Sequence, residues 1–149
     1  MKTIIYFKGV YDTLDLFTDH LIEAFESMGY GTFVYHTANE EVCKKMLLRL
    51  LGESQEFAAV TFNNLGYNLS FEQPEAAEGE EGKPEEYNIW DYFHIPYIDI
   101  LMDHPFHYEK PLCNMPETAV ILCTDRNHEK YIRRFFKNIH QTDFLPHAG

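Results

Sequence analysis

The chain has 149 residues, of which 45% are hydrophobic and 15% are aromatic, enough for one domain with a sizeable core. Its formal net charge is −12, which disfavours nucleic acids and anionic lipid surfaces as main partners because both carry dense negative charge. The sequence has no run of about 18 apolar residues, so no segment is predicted to span a membrane.

The amino terminus and the cysteines indicate the compartment. Residues 1–8 lack the long apolar stretch and small-residue cleavage site of a signal peptide, and they are typical of a first strand. Cys43, Cys113 and Cys123 are odd in number and scattered along the chain. This pattern favours reduced, mostly buried thiols over a disulfide framework or a zinc site. We therefore expect a cytoplasmic protein.

The first sixty residues alternate between short β-branched or aromatic runs and amphipathic stretches. Asp12 or Thr13 is the predicted N-cap of a first helix. Thr37 and Glu40 have the spacing of a capping box that opens a second helix, which Gly52 ends. Because the connections are short, strand–helix–strand–helix–strand order predicts parallel pairing with right-handed crossovers. The predicted strands are Thr3–Lys8, Thr32–His36 and Phe57–Phe62.

Residues 65–87 interrupt this alternation, and we interpret them as an acidic surface insertion. The stretch Glu72–Glu86 contains seven glutamates against Lys83 alone, a net charge of −6. It is predicted to be a mobile surface loop, because it offers too little apolar area to offset its ordering entropy. The simplest interpretation is a solvated loop without a specific role. The alternative is a flap that binds a partner or covers a substrate.

The second half of the chain continues the strand and helix pattern. A short helix is predicted over residues 88–94, with Trp90 and Phe93 packing inward, and residues 106–114 form a short helix or an irregular crossover. Thr124 or Asp125 is the predicted cap of a last helix. The whole pattern predicts a single Rossmann-like, doubly wound α/β domain, with a mostly parallel sheet of about six strands and helices on both faces. The remaining predicted strands are Pro96–Met102, Ala119–Cys123 and Thr142–Leu145.

Polar residues follow four of the predicted strands. Because the carboxyl ends of parallel strands lie at one edge of the sheet, these residues are expected to converge there, where doubly wound sheets bind ligands. Each group also has a structural interpretation, since turns, helix caps and strand ends use the same residue types. The groups are Asn63-Asn64, Asp103-His104, Thr124-Asp125-Arg126-Asn127-His128 and His147.

Several familiar kinds of site are absent from the sequence. The residues after the first strand, Gly9-Val10-Tyr11-Asp12, match neither a dinucleotide nor a phosphate-binding loop. No Gly-x-Ser-x-Gly hydrolase elbow occurs. His104 and His107 lie three residues apart near Asp103, but their spacing matches no strong zinc pattern. No metal or cofactor is therefore expected.

Three segments, in chain order, resemble a known family. They are Ile-Pro-Tyr-Ile-Asp-Ile-Leu-Met-Asp-His-Pro at 95–105, Cys-Thr-Asp-Arg-Asn-His-Glu-Lys-Tyr-Ile at 123–132 and Phe-Leu-Pro-His-Ala-Gly at 144–149. Together they resemble the amino-terminal region of bacterial GT-B glycosyltransferase-like proteins, related to the spore-coat maturation glycosyltransferases. The resemblance covers nearly the whole chain in layout and the last third in motif.

The resemblance implies two Rossmann-like domains facing each other across a cleft. The amino-terminal domain shapes the acceptor side, and the carboxyl-terminal domain holds most contacts to the nucleotide-sugar donor. The chain is therefore expected to be the front half of an enzyme that transfers a sugar to a sugar or protein acceptor. Without a second domain it is expected to be inactive. The alternatives are a non-catalytic Rossmann-like binding or interaction module and a small metal-dependent hydrolase.

The candidate site residues come from the strand-end argument, because no established catalytic residue of the family can be placed on this sequence. An acidic or imidazole side chain at this edge would deprotonate an acceptor hydroxyl. The candidate catalytic residues are Asp103, His104 and His128. The candidate substrate-binding residues are Asn63, Asn64, Asp125, Asn127 and His147.

Overall fold

The computed structural model describes residues 2–53, 55–73 and 85–146. The described strands are β1 (Lys2–Lys8), β2 (Gly31–His36), β3 (Glu56–Phe62), β4 (Ser70–Glu72), β5 (Glu86–Asn88), β6 (Tyr97–Leu101), β7 (Ala119–Cys123) and β8 (Gln141–Phe144). The helices are α1 (Asp12–Ser27), α2 (Glu40–Leu51), α3 (Ile89–Tyr92), α4 (Glu109–Cys113) and α5 (Arg126–Phe135), with 3₁₀ turns at Thr37–Asn39 and Pro105–Tyr108.

Six of these strands form one sheet in the order β2-β1-β3-β6-β7-β8, and every neighbouring pair is parallel. The chain moves outward from β1 to β2 and then returns past β1 to β3, so the strand order reverses between β1 and β3. Such a reversal creates a crevice beyond the carboxyl ends of the two strands. The predicted fold is confirmed: the chain is a Rossmann-like, doubly wound α/β domain.

Helices cover both faces of the sheet, because alternate side chains of each strand point to opposite sides. On one face, Leu14 of α1 packs with Ile4 and Val60. On the other face, Leu47 of α2 and Ile132 of α5 belong to a larger core. Trp90 of α3 is fully buried in that core, as predicted, and Phe93 packs against it half-buried.

Two predicted helix starts differ from the structure. Asp12 and Thr13 lie inside α1, and Tyr11 takes the capping position. The predicted capping box at Thr37 is wrong: residues 37–39 form a 3₁₀ turn, and α2 begins at Glu40. The Thr37 hydroxyl instead donates to the Gly9 carbonyl at 2.9 Å. This contact ties the end of β2 to the loop after β1, 28 residues earlier, so a tertiary partner replaces the local one.

The acidic insertion begins and ends in regular structure that the sequence pattern did not predict. Strands β4 and β5 pair in antiparallel fashion, with Glu72 opposite Glu86. Phe71 of β4 lies edge-on to Tyr92, with ring centroids 4.9 Å apart, which fixes the hairpin against α3. The predicted mobile loop falls mainly on residues 74–84, which lie outside the described residues.

The three cysteines are free, but they differ in exposure. Cys123 is fully buried, and burial raises the pKa of its thiol to about 11, as expected for a core residue. Cys43 is half-buried and Cys113 is exposed, so the prediction of mostly buried thiols is wrong for Cys113. Within the part of the chain that the structure describes, no helix combines the length and apolar character needed to cross a membrane.

Candidate functional site

The candidate site lies at the carboxyl edge of the sheet. Because β3, β6 and β7 are parallel neighbours, the residues that follow them share this edge. Asn63 follows β3, Asp103 follows β6 and Asp125 follows β7. The expected convergence of these three strand ends is therefore observed. His147 lies outside the described residues.

Asn63 connects the ends of β3 and β6. Its φ of 48° and that of Asn64, 64°, are left-handed, a conformation that asparagine adopts more readily than most residues. The Asn63 side-chain amide donates to Oδ2 of Asp103 at 2.9 Å, and its oxygen accepts the Met102 N–H at 2.8 Å. The predicted turn at Asn63-Asn64 is confirmed, and the Asn63 side chain also fixes the position of Asp103.

Asp103 is exposed and is held by a second donor. The Tyr108 hydroxyl donates to the same Oδ2 atom at 2.9 Å. Burial of Tyr108 and the neighbouring carboxylate raise the pKa of this phenol, so it stays a donor at neutral pH. Both donors bind Oδ2, and Oδ1 receives no hydrogen bond from the described residues. One carboxylate oxygen is therefore left for a ligand.

Asn64 and Asp99 lie beneath this surface. Asn64 is 4% exposed, and its N–H donates to Oδ1 of the fully buried Asp99 at 2.8 Å. Burial raises the pKa of Asp99 to about 7, although the Asn64 hydrogen bond acts in the opposite direction. Oδ2 of Asp99 and both polar side-chain atoms of Asn64 find no partner among the described residues. Asn64 thus contacts the core, and its role in substrate binding stays a prediction.

His104 and His128 lie side by side, with ring centroids 4.7 Å apart. Nδ1 of His104 accepts the Phe106 N–H at 3.1 Å and caps the 3₁₀ turn, so this imidazole has a structural role as well. Burial of His128, aided by His104, lowers the pKa of its imidazole despite the nearby Asp125 carboxylate. His128 is therefore neutral at pH 7 and able to accept a proton.

Asp125 and Asn127 occupy the start of α5. Oδ1 of Asp125 accepts the Asn127 N–H at 2.6 Å, which confirms the predicted cap. Thr124, the other predicted cap, instead directs its hydroxyl to the Leu101 carbonyl at 3.4 Å. Asp125 and Asn127 are both exposed at the edge of the sheet, and their contact with a substrate stays a prediction.

Three residues of this region were missed by sequence reasoning: Asp99, Tyr108 and Tyr131. Asp99 had a usable signal, because a charged residue inside the apolar strand Tyr97–Leu101 shares a face with the buried Tyr97 and Leu101. No comparable signal in the sequence marked Tyr108 or Tyr131. Tyr131 lies 5.2 Å from His104, ring centroid to ring centroid, through a contact between elements that are distant in sequence.

Two cavities of about 550 Å³ each are lined by other residues than Asp103, His104 and His128. One is at the opposite, amino edge of the sheet, lined by Ile4, Phe25, Val60 and Ile98. The other is beside α4, between Phe106 and Cys113. Neither of these two cavities includes Asp103 or His128, and Asp103 and His104 lie on the exposed surface.

The described residues contain no group of three or more His, Cys, Asp or Glu side chains arranged to hold a metal ion. Comparison with known proteins returns no match: no protein-family model, no curated protein and no solved structure is significantly similar to this chain.

Proposed function

We propose that this chain is the acceptor-side domain of a glycosyltransferase, and that a second domain binds the nucleotide-sugar donor. The observation that carries the proposal is the Asp103 carboxylate. It is exposed, it is fixed by Asn63 and Tyr108 through one oxygen, and its other oxygen is unpartnered among the described residues. A fixed carboxylate at the carboxyl edge of a doubly wound sheet suits recognition of an acceptor hydroxyl.

The chemistry required of this domain is the removal of a proton from the acceptor hydroxyl as it attacks the sugar. In the proposal, Asp103 binds the acceptor hydroxyl and removes its proton as the general base. Burial lowers the pKa of the nearby His128, so this imidazole is neutral and available to take the proton onward. His104 contacts His128 and also caps the turn that contains Tyr108, a donor to Asp103. These contacts hold Asp103 and His128 on the same side of the site. Asn63, Asn64, Asp125 and Asn127 are proposed to shape the acceptor side.

The exposure of Asp103 and His104 supports a two-domain enzyme. A small ligand is usually bound in a cleft that buries most of its surface, and such clefts are common between domains. The Asp103 and His104 side chains instead lie on an exposed surface. A second domain facing this surface would close it around the donor and the acceptor.

A non-catalytic interaction module is the second candidate. It is favoured by the structural roles already assigned to two site residues, since His104 caps a turn and Asp125 caps α5. These roles account for two of the polar strand ends without any ligand. They do not account for Asp103, whose hydrogen bonds fix its position without capping a helix or turn.

The test uses the natural full-length protein with a panel of UDP-, GDP-, ADP- and dTDP-linked sugars. We expect one donor to raise its melting temperature and to release nucleoside diphosphate in the presence of a sugar or protein acceptor. This chain alone should give no release. If the full-length protein neither binds nor consumes any of these donors, the transferase proposal is wrong and the interaction module is favoured.

A further inference from the structure

One face of the main sheet is only partly covered by helices. The connections after β2, β3, β6 and β7 all advance in one direction across the sheet, so right-handed crossovers place α2, α3, α4 and α5 on the same face. Within the described part of the chain, α1 is the one helix on the other face. It lies over β1 and β2 and reaches β3 through Phe17, whose ring centroid lies 6.1 Å from that of Phe62. Strands β6 and β7 therefore lie beyond α1 on this face.

The part of the face beyond α1 is apolar. The register pairs Ile98 with Val120 and Ile100 with Leu122, so these four side chains point to the side of α1. We call them the open sheet face. Val120 is half-buried and belongs to neither core, and Ile98 and Leu122 are half-buried as well. Because parallel sheets in α/β domains are covered on both faces, these residues are suited to a further layer.

The open sheet face is the floor of a groove that fits one α-helix. Strands β6 and β7 each have five residues, a length of about 17 Å that a helix of about 11 residues spans. Both strands are paired on their two sides, so no further strand can be added at this floor. At the amino edge the groove continues into the cavity lined by Ile4, Phe25, Val60 and Ile98. One wall is a side of α1 with residues at helical spacing, Phe17, Leu21, Ala24 and Met28.

The side of the molecule that carries the groove is acidic. Its lysines, Lys2 and Lys8 of β1, are each paired with a carboxylate, at 3.0 and 2.6 Å. The other lysines and arginines of the described residues lie on α2, α4 and α5 or follow α5, on the opposite face. The register places Asp143 of β8 beside Leu122, at the rim of the groove. Four exposed carboxylates on this side form no ion pair with a described lysine or arginine: Asp12, Glu23, Glu26 and Asp143.

We propose that the open sheet face binds a basic amphipathic helix of a partner protein. The apolar side of that helix lies on β6 and β7, and its lysines and arginines face the carboxylates of α1 and β8, such as Glu23 and Asp143. The same carboxylates repel nucleic acids and anionic lipid surfaces. A symmetric second copy would bring two acidic surfaces together. The acidic stretch Glu72–Glu86 has the wrong charge, and Phe71 attaches its hairpin to the opposite core.

Fluorescence anisotropy of labelled peptides with the purified chain tests the chemistry of the partner. The probe is a helical peptide of about 14 residues that repeats Leu-Lys-Lys-Leu-Leu-Lys-Leu. One control peptide has glutamate in place of lysine, and the other has serine in place of leucine. We expect both controls to bind at least about tenfold more weakly, because one lacks the complementary charge and the other lacks the apolar side. If the probe does not bind, or if either control binds equally well, the proposal is wrong.

A pair of arginine variants locates the binding surface. Val120→Arg places a charge on the floor of the groove and should weaken binding of the probe more than about tenfold. Val42→Arg, at an exposed position of α2 on the opposite face, should change it less than about twofold. Circular dichroism checks folding. If Val120→Arg unfolds, Ala24→Arg on the exposed wall of α1 replaces it, with the same weakening expected.

A pair of charge-reversal variants tests the electrostatic part. E23K/D143K should weaken binding of the probe several-fold, whereas E41K/E109K makes the same change in net charge on the opposite face and should have little effect. Equal losses in the two variants would overturn the proposal. Sedimentation of the chain alone should show a monomer. A dimer that Val120→Arg dissociates would assign the open sheet face to a second copy and would also overturn it.

Discussion

Replacing Asp99 with asparagine is expected to raise the free energy of unfolding, relative to wild type, more at high pH than at low pH. The difference between variant and wild type above pH 7 should exceed that below pH 4 by about 4 kcal/mol. Burial raises the folded-state pKa of Asp99 from 3.8 to about 7. The folded protein therefore holds this proton more tightly than the unfolded chain does. As pH rises from about 4 to 7, the unfolded carboxyl ionises first, and stability falls until the folded carboxyl also ionises.

The asparagine variant removes this dependence without removing the contact. Its side-chain oxygen can still accept the Asn64 N–H, and no charge is buried at any pH. The Asp99 carboxylate contributes to the raised pKa values of Tyr97, Tyr108 and Cys123, and these raised values keep all three groups neutral in this range. Asp99 is thus the group of this cluster that titrates between pH 4 and 7.

Urea unfolding at a series of pH values measures the effect. The wild-type free energy of unfolding should decline relative to that of Asp99→Asn as pH rises, and the difference should level off above pH 7. Glu117→Gln, which removes an exposed carboxylate, should stay within about 0.5 kcal/mol of wild type throughout. A pH-independent difference between wild type and Asp99→Asn would show that the buried carboxyl does not titrate in this range.

Asp103→Asn is expected to slow sugar transfer by the full-length protein about 10²- to 10⁴-fold in kcat, the range for loss of a general base. The amide keeps the size of the carboxyl group and retains an oxygen for the Asn63 and Tyr108 donors. The variant therefore changes charge and basicity while the local structure stays in place. KM for the acceptor should change much less than kcat.

Asp143→Asn is the matched control, since it removes an exposed carboxylate from β8 outside the Asp103 network. It should retain full transfer. Initial rates at saturating donor, with the acceptor varied, separate kcat from KM for both variants. If Asp103→Asn keeps the wild-type kcat, the Asp103 carboxylate takes no part in the reaction. An equal loss of kcat in both variants would indicate a general effect of charge.

Local patterns in the sequence were sufficient for the fold. The alternation of short strands with amphipathic helices predicted parallel pairing, and all five neighbouring pairs of the main sheet are parallel. Parallel pairing in turn places Asn63, Asp103 and Asp125 at one edge. The cap at Asp125 was predictable for the same reason, because it depends on a residue only two positions away.

Contacts between distant residues were not predictable. The Asn64 N–H reaches Asp99 across 35 positions, and Thr37 reaches the Gly9 carbonyl across 28, which replaces the capping box that its local sequence favours. The hairpin of β4 and β5 was not predicted, because each strand has only three residues and one of the three is a glutamate, Glu72 or Glu86. These elements form through tertiary contacts, which leave no periodic pattern in the local sequence.

The most direct test of the account is chemical-shift mapping of the isotopically labelled chain during titration with a panel of mono- and oligosaccharide acceptors. The account predicts that a bound sugar shifts the amide resonances of Asn63, Asp103, His104 and His128, at the carboxyl edge of the sheet. Shifts confined to the amino-edge cavity, around Lys2, Gln55 and His94, would contradict it, as would the absence of shifts with every sugar.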